Sequence, residues 1–265
     1  MNLARWWKVS TVGLAVVLTA ATVHAQQSSA TAPEIEEKAM SVVKRMAEFL
    51  SKAQRFSFTA DAGFDVVQDS GEKIEFGETR KMVIRRPDHA RIDTTKRDGA
   101  VSGFVFDGKE ITAFNVQDNV YATAAKPGTL DEAIAYFVND LEMRMPLGQL
   151  LASDLAKTLP ERVRTAYYVG QETLAGVSCD HLALRGDRFD VQFWIAQGNQ
   201  PLLHRMVITY TLAEGQPQFW AQFSDWNLSP EVPDSLFVFT PPTGAMKIAF
   251  APQSMQPGGA AAKGE

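Results

Sequence analysis

Between Arg164 and Trp226 apolar residues recur at every second position: Phe189, Val191, Phe193 and Ile195, then Met206, Ile208, Tyr210 and Leu212, then Phe219, Ala221 and Phe223. Successive side chains of a strand point to opposite faces, so each set makes one apolar face. The sets are separated by Ala175-Gly176, Arg185-Gly186-Asp187, Gln197-Gly198-Asn199 and Glu214-Gly215, with Pro217 following. These are turn sequences, and the spacing leaves no room for crossover helices, so the strands are antiparallel neighbours. The pattern predicts about five strands in one meander, long enough to form a curved sheet or part of a barrel.

The same period governs the chain before this stretch. Phe56, Phe58, Ala60, Ala62, Phe64 and Val66 alternate, and Asp69-Ser70-Gly71 turns the chain into a second strand from Glu72 to Arg86. Further strands are expected over His89 to Lys96, Gly103 to Phe106, Glu110 to Phe114 (across the hairpin signal Asp107-Gly108) and Val120 to Thr123. The period changes to three and four residues between Pro33 and Gln54, where Ile35, Ala39, Val42, Val43, Met46, Phe49, Leu50 and Ala53 form one stripe of an amphipathic helix. It changes again at Thr129, which with Glu132 makes a capping box. The helix that follows is expected from Leu130 to Met145, with Ile134, Phe137, Val138, Leu141 and Met145 on one face. Pro146 breaks it, and Leu147, Leu150, Leu151 and Leu155 supply a further apolar stripe. After Trp226 the run Pro230 to Pro233 ends the sheet, and Phe237, Phe239, Met246, Ile248 and Phe250 are expected to cap it. The fold class is mainly β within α+β. It is a curved antiparallel sheet or incomplete β-barrel of about 11 strands, covered by amphipathic helices on its concave side.

Composition sets the ends and the compartment. Arg5 and Lys8 precede a short apolar run, and Val23-His24-Ala25 is a small-x-small cleavage site, so residues 1–25 read as a secretory signal peptide rather than a membrane span. Residues 26–32 are a polar lead-in, 33–250 one domain, and 251–265, rich in Pro, Gly and Ala, a disordered tail. Cleavage removes two basic and no acidic residues, making the mature chain two units more negative than the formal −5 of the whole. A charge of that sign excludes nucleic acid as a partner. Cys179 is the one cysteine, so no internal disulfide forms, and none stands at the cleavage point to carry a lipid. The expected location is the periplasm, with membrane contact at most transient.

Several pieces carry a resemblance in their order and spacing. They are Arg86-Pro87-Asp88-His89-Ala90-Arg91, Phe106-Asp107-Gly108-Lys109, Tyr167-Tyr168-Val169-Gly170, Cys179-Asp180-His181-Leu182, Phe193-Trp194-Ile195 and Phe223-Ser224-Asp225-Trp226. With the helix–strand order they make the chain similar to the periplasmic lipoprotein-carrier (LolA/LolB-like) superfamily, and to its periplasmic branch in particular. The resemblance implies an incomplete barrel closed by a helical lid over an apolar cavity for acyl chains. It also implies that Arg86, directly before Pro87, helps hold the lid shut. This chain is longer than the carrier, with an extra helical segment around Leu147 to Leu159 and more strands after it.

No residue pattern points to catalysis. Cys179 and His181 share a face of one strand, but residues two apart on a strand stand too far apart to act as nucleophile and base, and Asp180 points away. His89, His181 and His204, with Asp88, Asp180 and Asp190, lack metal-ligand spacing. No phosphate-binding or nucleophile-elbow motif is present, so neither cofactor nor metal is expected. The expectation is a non-enzymatic binding protein for a lipid or acyl chain, a lipoprotein or another envelope protein. Phe58, Phe64, Phe104, Phe106, Ile134, Phe137 and Leu141 would line the pocket and lid, with Arg86 and Arg91 at the rim. The alternative is an envelope-stress sensor or adaptor domain of the same fold, working by protein contact.

Overall fold

The alternating segments pair into one sheet of twelve strands in the computed structural model, which describes residues 35–250. The leader over 1–25, the lead-in over 26–32 and the tail over 251–265 lie outside the described residues. Helix α1 (Glu37–Lys52) comes first, then β1 (Arg55–Val67), β2 (Lys73–Arg85), β3 (His89–Lys96), β4 (Val101–Phe106), β5 (Glu110–Asn115) and β6 (Val120–Ala125). Three short helices follow: α2 (Leu130–Ala135), α3 (Gly148–Leu151) and α4 (Leu155–Glu161). The second run is β7 (Thr165–Leu174), β8 (Val177–Arg185), β9 (Asp190–Ala196), β10 (Leu203–Thr209) and β11 (Gln218–Asn227), and β12 (Met246–Ile248) closes the order.

Spatially the sheet runs β12-β6-β5-β4-β3-β2-β1-β11-β10-β9-β8-β7. The first half unrolls from β1 outward, the second rolls inward from β7, and β11 lands beside β1. Every neighbour pair is antiparallel except β12 with β6. The two edges, β12 and β7, do not pair, so the barrel is incomplete.

The period-two pattern decides which face the helices cover. Phe56, Phe58, Ala60 and Ala62 of β1 sit across from Ile84 and Met82 on one side and Phe223 and Ala221 on the other. All eight are buried in one core with the helices. The stripe of α1 supplies Ala39, Val42, Val43, Met46, Ala47 and Leu50, each at most 6% exposed. Burying a side chain of Val, Leu or Met size contributes about 1.5–3 kcal/mol, which is what fixes α1 against the sheet.

The opposite face is ordered by flat stacking. His181 of β8 stacks on Trp194 of β9 at 4.1 Å. The Arg205 guanidinium of β10 lies 5.7 Å from Trp194 and 5.4 Å from Trp220 of β11. Trp220 then lies over Gly63 of β1, where a Cβ would meet its Nε1 at 2.5 Å, so only glycine lets the ring lie flat.

The segment after Trp226 does more than end the sheet. It crosses the outer face as a strap. Val232 and Phe237 join Val105 in a second, smaller core, with Val83, Phe114, Leu236 and Phe239 against it. The strap then adds Met246–Ile248 to β6 as a twelfth strand. Met246 and Ile248 therefore extend the sheet edge instead of capping the sheet. They pair in parallel, which a short hairpin cannot do and a long crossing can.

Candidate functional site

The helical cover begins tightly fixed. Thr129 accepts the Glu132 N–H at 3.3 Å, and the Glu132 carboxylate accepts the Thr129 N–H at 2.7 Å, so the capping box is complete. The Leu130 N–H donates to the Pro87 carbonyl at 2.8 Å, and the Gly128 N–H donates to the Gly108 carbonyl at 3.1 Å. These bonds pin the start of α2 to the turns after β2 and β4. Asp131 accepts the Ser153 N–H at 2.9 Å and also pairs with the Ser153 hydroxyl, tying α2 to the linker before α4.

Beyond Ala135 the cover loosens. The helix expected to reach Met145 passes into a π-helical turn (Tyr136–Asp140), closed by the Leu141 N–H donating to the Tyr136 carbonyl at 3.2 Å. Glu142 then takes a left-handed φ of 53°, and regular structure stops until α3. The extra residue in the wider turn rotates Val138 off the apolar stripe, leaving it 38% exposed. Ile134, Phe137 and Leu141 stay buried.

Beneath this broken cover lies a cavity of about 30 Å³. It is walled by Ala90, Ile92, Phe104, Val105, Phe106 and Ile111 from the sheet and by Leu130, Ala133, Ile134, Phe137, Met145 and Leu151 from the cover. All twelve are apolar. A void without polar partners stays dry, and this one has room for about one water-sized group.

The residues singled out from sequence separate into groups. Phe104, Phe106, Ile134 and Phe137 meet at the cavity, where Phe104 and Phe137 pack edge to face at 4.9 Å. Leu141 is buried in the same core without lining the void. Phe58 lies away from it, against Phe223 at 5.5 Å and Trp226 at 4.5 Å. Phe64 stacks with Phe76 at 6.1 Å near the far end of β1.

The arginines divide by face. Arg86 sits on the helical side under the C-terminus of α1. Its N–H donates to the Gln54 carbonyl at 2.8 Å and its Nε donates to the Ala53 carbonyl at 3.2 Å. Its Nη2 is buried without a hydrogen-bond partner. Burial lowers the pKa of this guanidinium, and the charge of Asp131 on α2 offsets part of that. Arg91 is not at a rim on that side. Strand alternation turns it to the outer face, where Nε donates to Asp93 at 2.8 Å and Nη1 donates to the Leu236 carbonyl at 3.2 Å. Arg85 does the same one hairpin position away, donating to the Val232 carbonyl at 2.8 Å and pairing with Asp234 at 2.7 Å. Both clamp the strap.

Cys179, His181 and His89 have structural partners. His181 Nδ1 is 2.8 Å from Glu172, its Nε2 is 3.0 Å from Gln192, and Trp194 Nε1 donates to Glu172 at 2.8 Å. His89 is 2.6 Å from Asp88 and lies edge-on to Phe237 at 5.0 Å. His204 falls in the irregular register between Leu203 and Arg205, and burial lowers its pKa. Among the described residues no three His, Cys, Asp or Glu gather to hold a metal ion. Cys179 is fully buried, and burial first, then Asp180 and Glu172, push its thiol up to about 11. A thiol so protonated is a poor nucleophile. Native protein at pH 8 is therefore expected to resist alkylation by iodoacetamide and to label once unfolded in urea. Rapid, complete labelling of the native chain would contradict this placement.

Residues 39–251 match the model of a family described as Predicted periplasmic protein (DUF2092). No curated protein matches the chain. Among solved structures, the chain is similar to LprF from Mycobacterium bovis, at 13% identity over 76% of this chain and 98% of that one, with a TM-score of 0.49. The Mycobacterium tuberculosis lipoprotein LppX matches at 15% identity over 74% and 98%, with a TM-score of 0.47. A LolA superfamily protein from Nitrosomonas europaea matches at 13% identity over 76% and 97%, with a TM-score of 0.37.

Proposed function

The chain belongs to the DUF2092 family of predicted periplasmic proteins, and we propose that it is a non-enzymatic binding protein of the periplasm whose ligand is an acyl chain, a lipid or a lipidated partner. One observation carries this reading: the cavity walled only by apolar side chains lies under the stretch where the helical cover is broken into short pieces. An acyl ligand needs a pocket of hundreds of Å³, far more than this cavity offers. The cover between Tyr136 and Leu147 is the part that can move aside to supply it, since few regular hydrogen bonds hold that stretch. A wall of side chains without polar groups suits chains of varied length, because no bond has to be matched.

A second reading has its own observation. The cavity is only about 30 Å³, as a domain that works by protein contact would have.

Titration with a fluorescent long-chain fatty acid separates the two. A binding protein takes up the probe saturably, and Ile134→Asp, which places a charge in the cavity wall, abolishes uptake while the β-sheet circular dichroism persists. Failure of the wild type to take up the probe would favour protein contact instead.

A further inference from the structure

We infer that Phe250 is a latch that holds the π-helical turn of the cover down, so that docking and undocking of the Phe250 ring sets access to the cavity. The access clause rests on the binding function proposed above; the latch itself does not.

The strap leaves β11, crosses the outer face, joins β6 as β12, and two residues later Phe250 is back on the helical side. There its ring packs edge-on against Phe137 at 6.2 Å and against Tyr136 at 6.4 Å. Phe137 in turn meets Phe104 on the cavity wall. A line of rings, Phe250–Phe137–Phe104, thus runs from the sheet edge to the cavity.

Phe137 and Leu141 root the turn in the core, and the backbone around them has few other anchors. The anchors of α2 lie before it, at Thr129, Leu130 and Asp131, and α3 begins only at Gly148. On its solvent side the Lys126 ammonium lies 4.0 Å from the Tyr136 ring, and Phe250 supplies the apolar contact. The attachment of Phe250 is weak as well. β12 is three residues long, largely exposed, and paired on one side only. A short edge strand of this kind opens at low cost compared with the central strands. Latch and turn are therefore expected to loosen together, while the α1–sheet core stays closed.

Amide hydrogen exchange tests this on the full chain, comparing wild type, Phe250→Ala and Phe250→Trp. Aromatic pairs of this kind are worth enough that Phe250→Ala should speed exchange of the amides between Tyr136 and Met143 about tenfold. Exchange in α1 should not change, and Phe250→Trp should restore protection. Uptake of the fluorescent fatty acid should quicken in Phe250→Ala and return to the wild-type rate in Phe250→Trp. Exchange in the turn no faster in Phe250→Ala than in wild type would overturn the latch. Faster exchange with no probe uptake by any of the three would leave the latch standing and remove the binding function instead.

Discussion

Phe137→Ala should lower stability by about 3–5 kcal/mol, the usual cost of truncating a buried Phe. The ring is 6% exposed, packs edge to face on Phe104 and carries the Phe250 contact, so both rings lose a partner at once. The void beneath it grows from its present 30 Å³, and the fixed sheet wall of Phe104, Phe106 and Ile111 cannot collapse to refill it. An enlarged dry cavity binds small apolar solutes. Part of the loss should therefore return when the variant is saturated with such a solute, by about 2.7 kcal/mol at a hundredfold excess over Kd. Urea unfolding with and without the solute measures both effects. A loss under about 1 kcal/mol would mean that the cover contributes little to the packed state.

Phe237→Ala should cost a similar amount, about 3–5 kcal/mol, and leave probe uptake unaltered. Phe237 is the buried anchor of the strap, 1% exposed, edge-on to His89 and 5.1 Å from the Arg85 guanidinium. It packs with Val105 on the outer face, so its loss weakens the sheet while Leu130, Ala133, Ile134 and Phe137 of the cover stay in place over the cavity. The clamp beside it has a pH signature. The hydrogen bond and charge of Arg85 hold the Asp234 carboxyl below its ordinary 3.8. A carboxylate with a lowered folded pKa stabilises the fold above its unfolded pKa and stops doing so as pH falls through the folded one. The difference in urea midpoint between wild type and Arg85→Gln should thus be present at neutral pH and narrow as pH falls below the ordinary carboxyl value of 3.8. It should not vanish, because the bond from Arg85 to the Val232 carbonyl does not titrate. A gap that widens in acid would contradict the assignment.

The strands were legible because each is half-buried: Phe56, Phe58, Ala60 and Ala62 alternate in sequence since one side of β1 meets the helices and the other does not. The capping box at Thr129 and the hairpin at Asp107-Gly108 are local chemistry and could be read directly. What alternation cannot tell is which distant segment covers the second face. The strap has no period to read, being a Pro-interrupted run whose partners, such as Arg85 and Val232, stand 147 residues apart in the chain. Arg91 therefore holds the strap instead of standing at a rim of the cover, and Met246–Ile248 pairs as a strand that no alternation announces. The apolar period from Leu130 outruns the helix, because Ile134, Phe137 and Leu141 fit a 3.6-residue spacing and a π-helical turn keeps those three inward while expelling Val138. Phe104, Phe106, Ile134 and Phe137 were picked as large apolar residues facing inward, a criterion that Phe58 and Phe64 also meet. Only the three-dimensional packing sorts the cavity wall from the plain core.

Native mass spectrometry of the full chain, purified without detergent from the cells that produce it, tests the central claim most directly. The account predicts a population heavier than the bare chain by the mass of an apolar molecule that solvent extraction releases, and loss of that population in Ile134→Asp. A bare mass throughout, with nothing apolar in the extract and no uptake of added fatty acid, would contradict it.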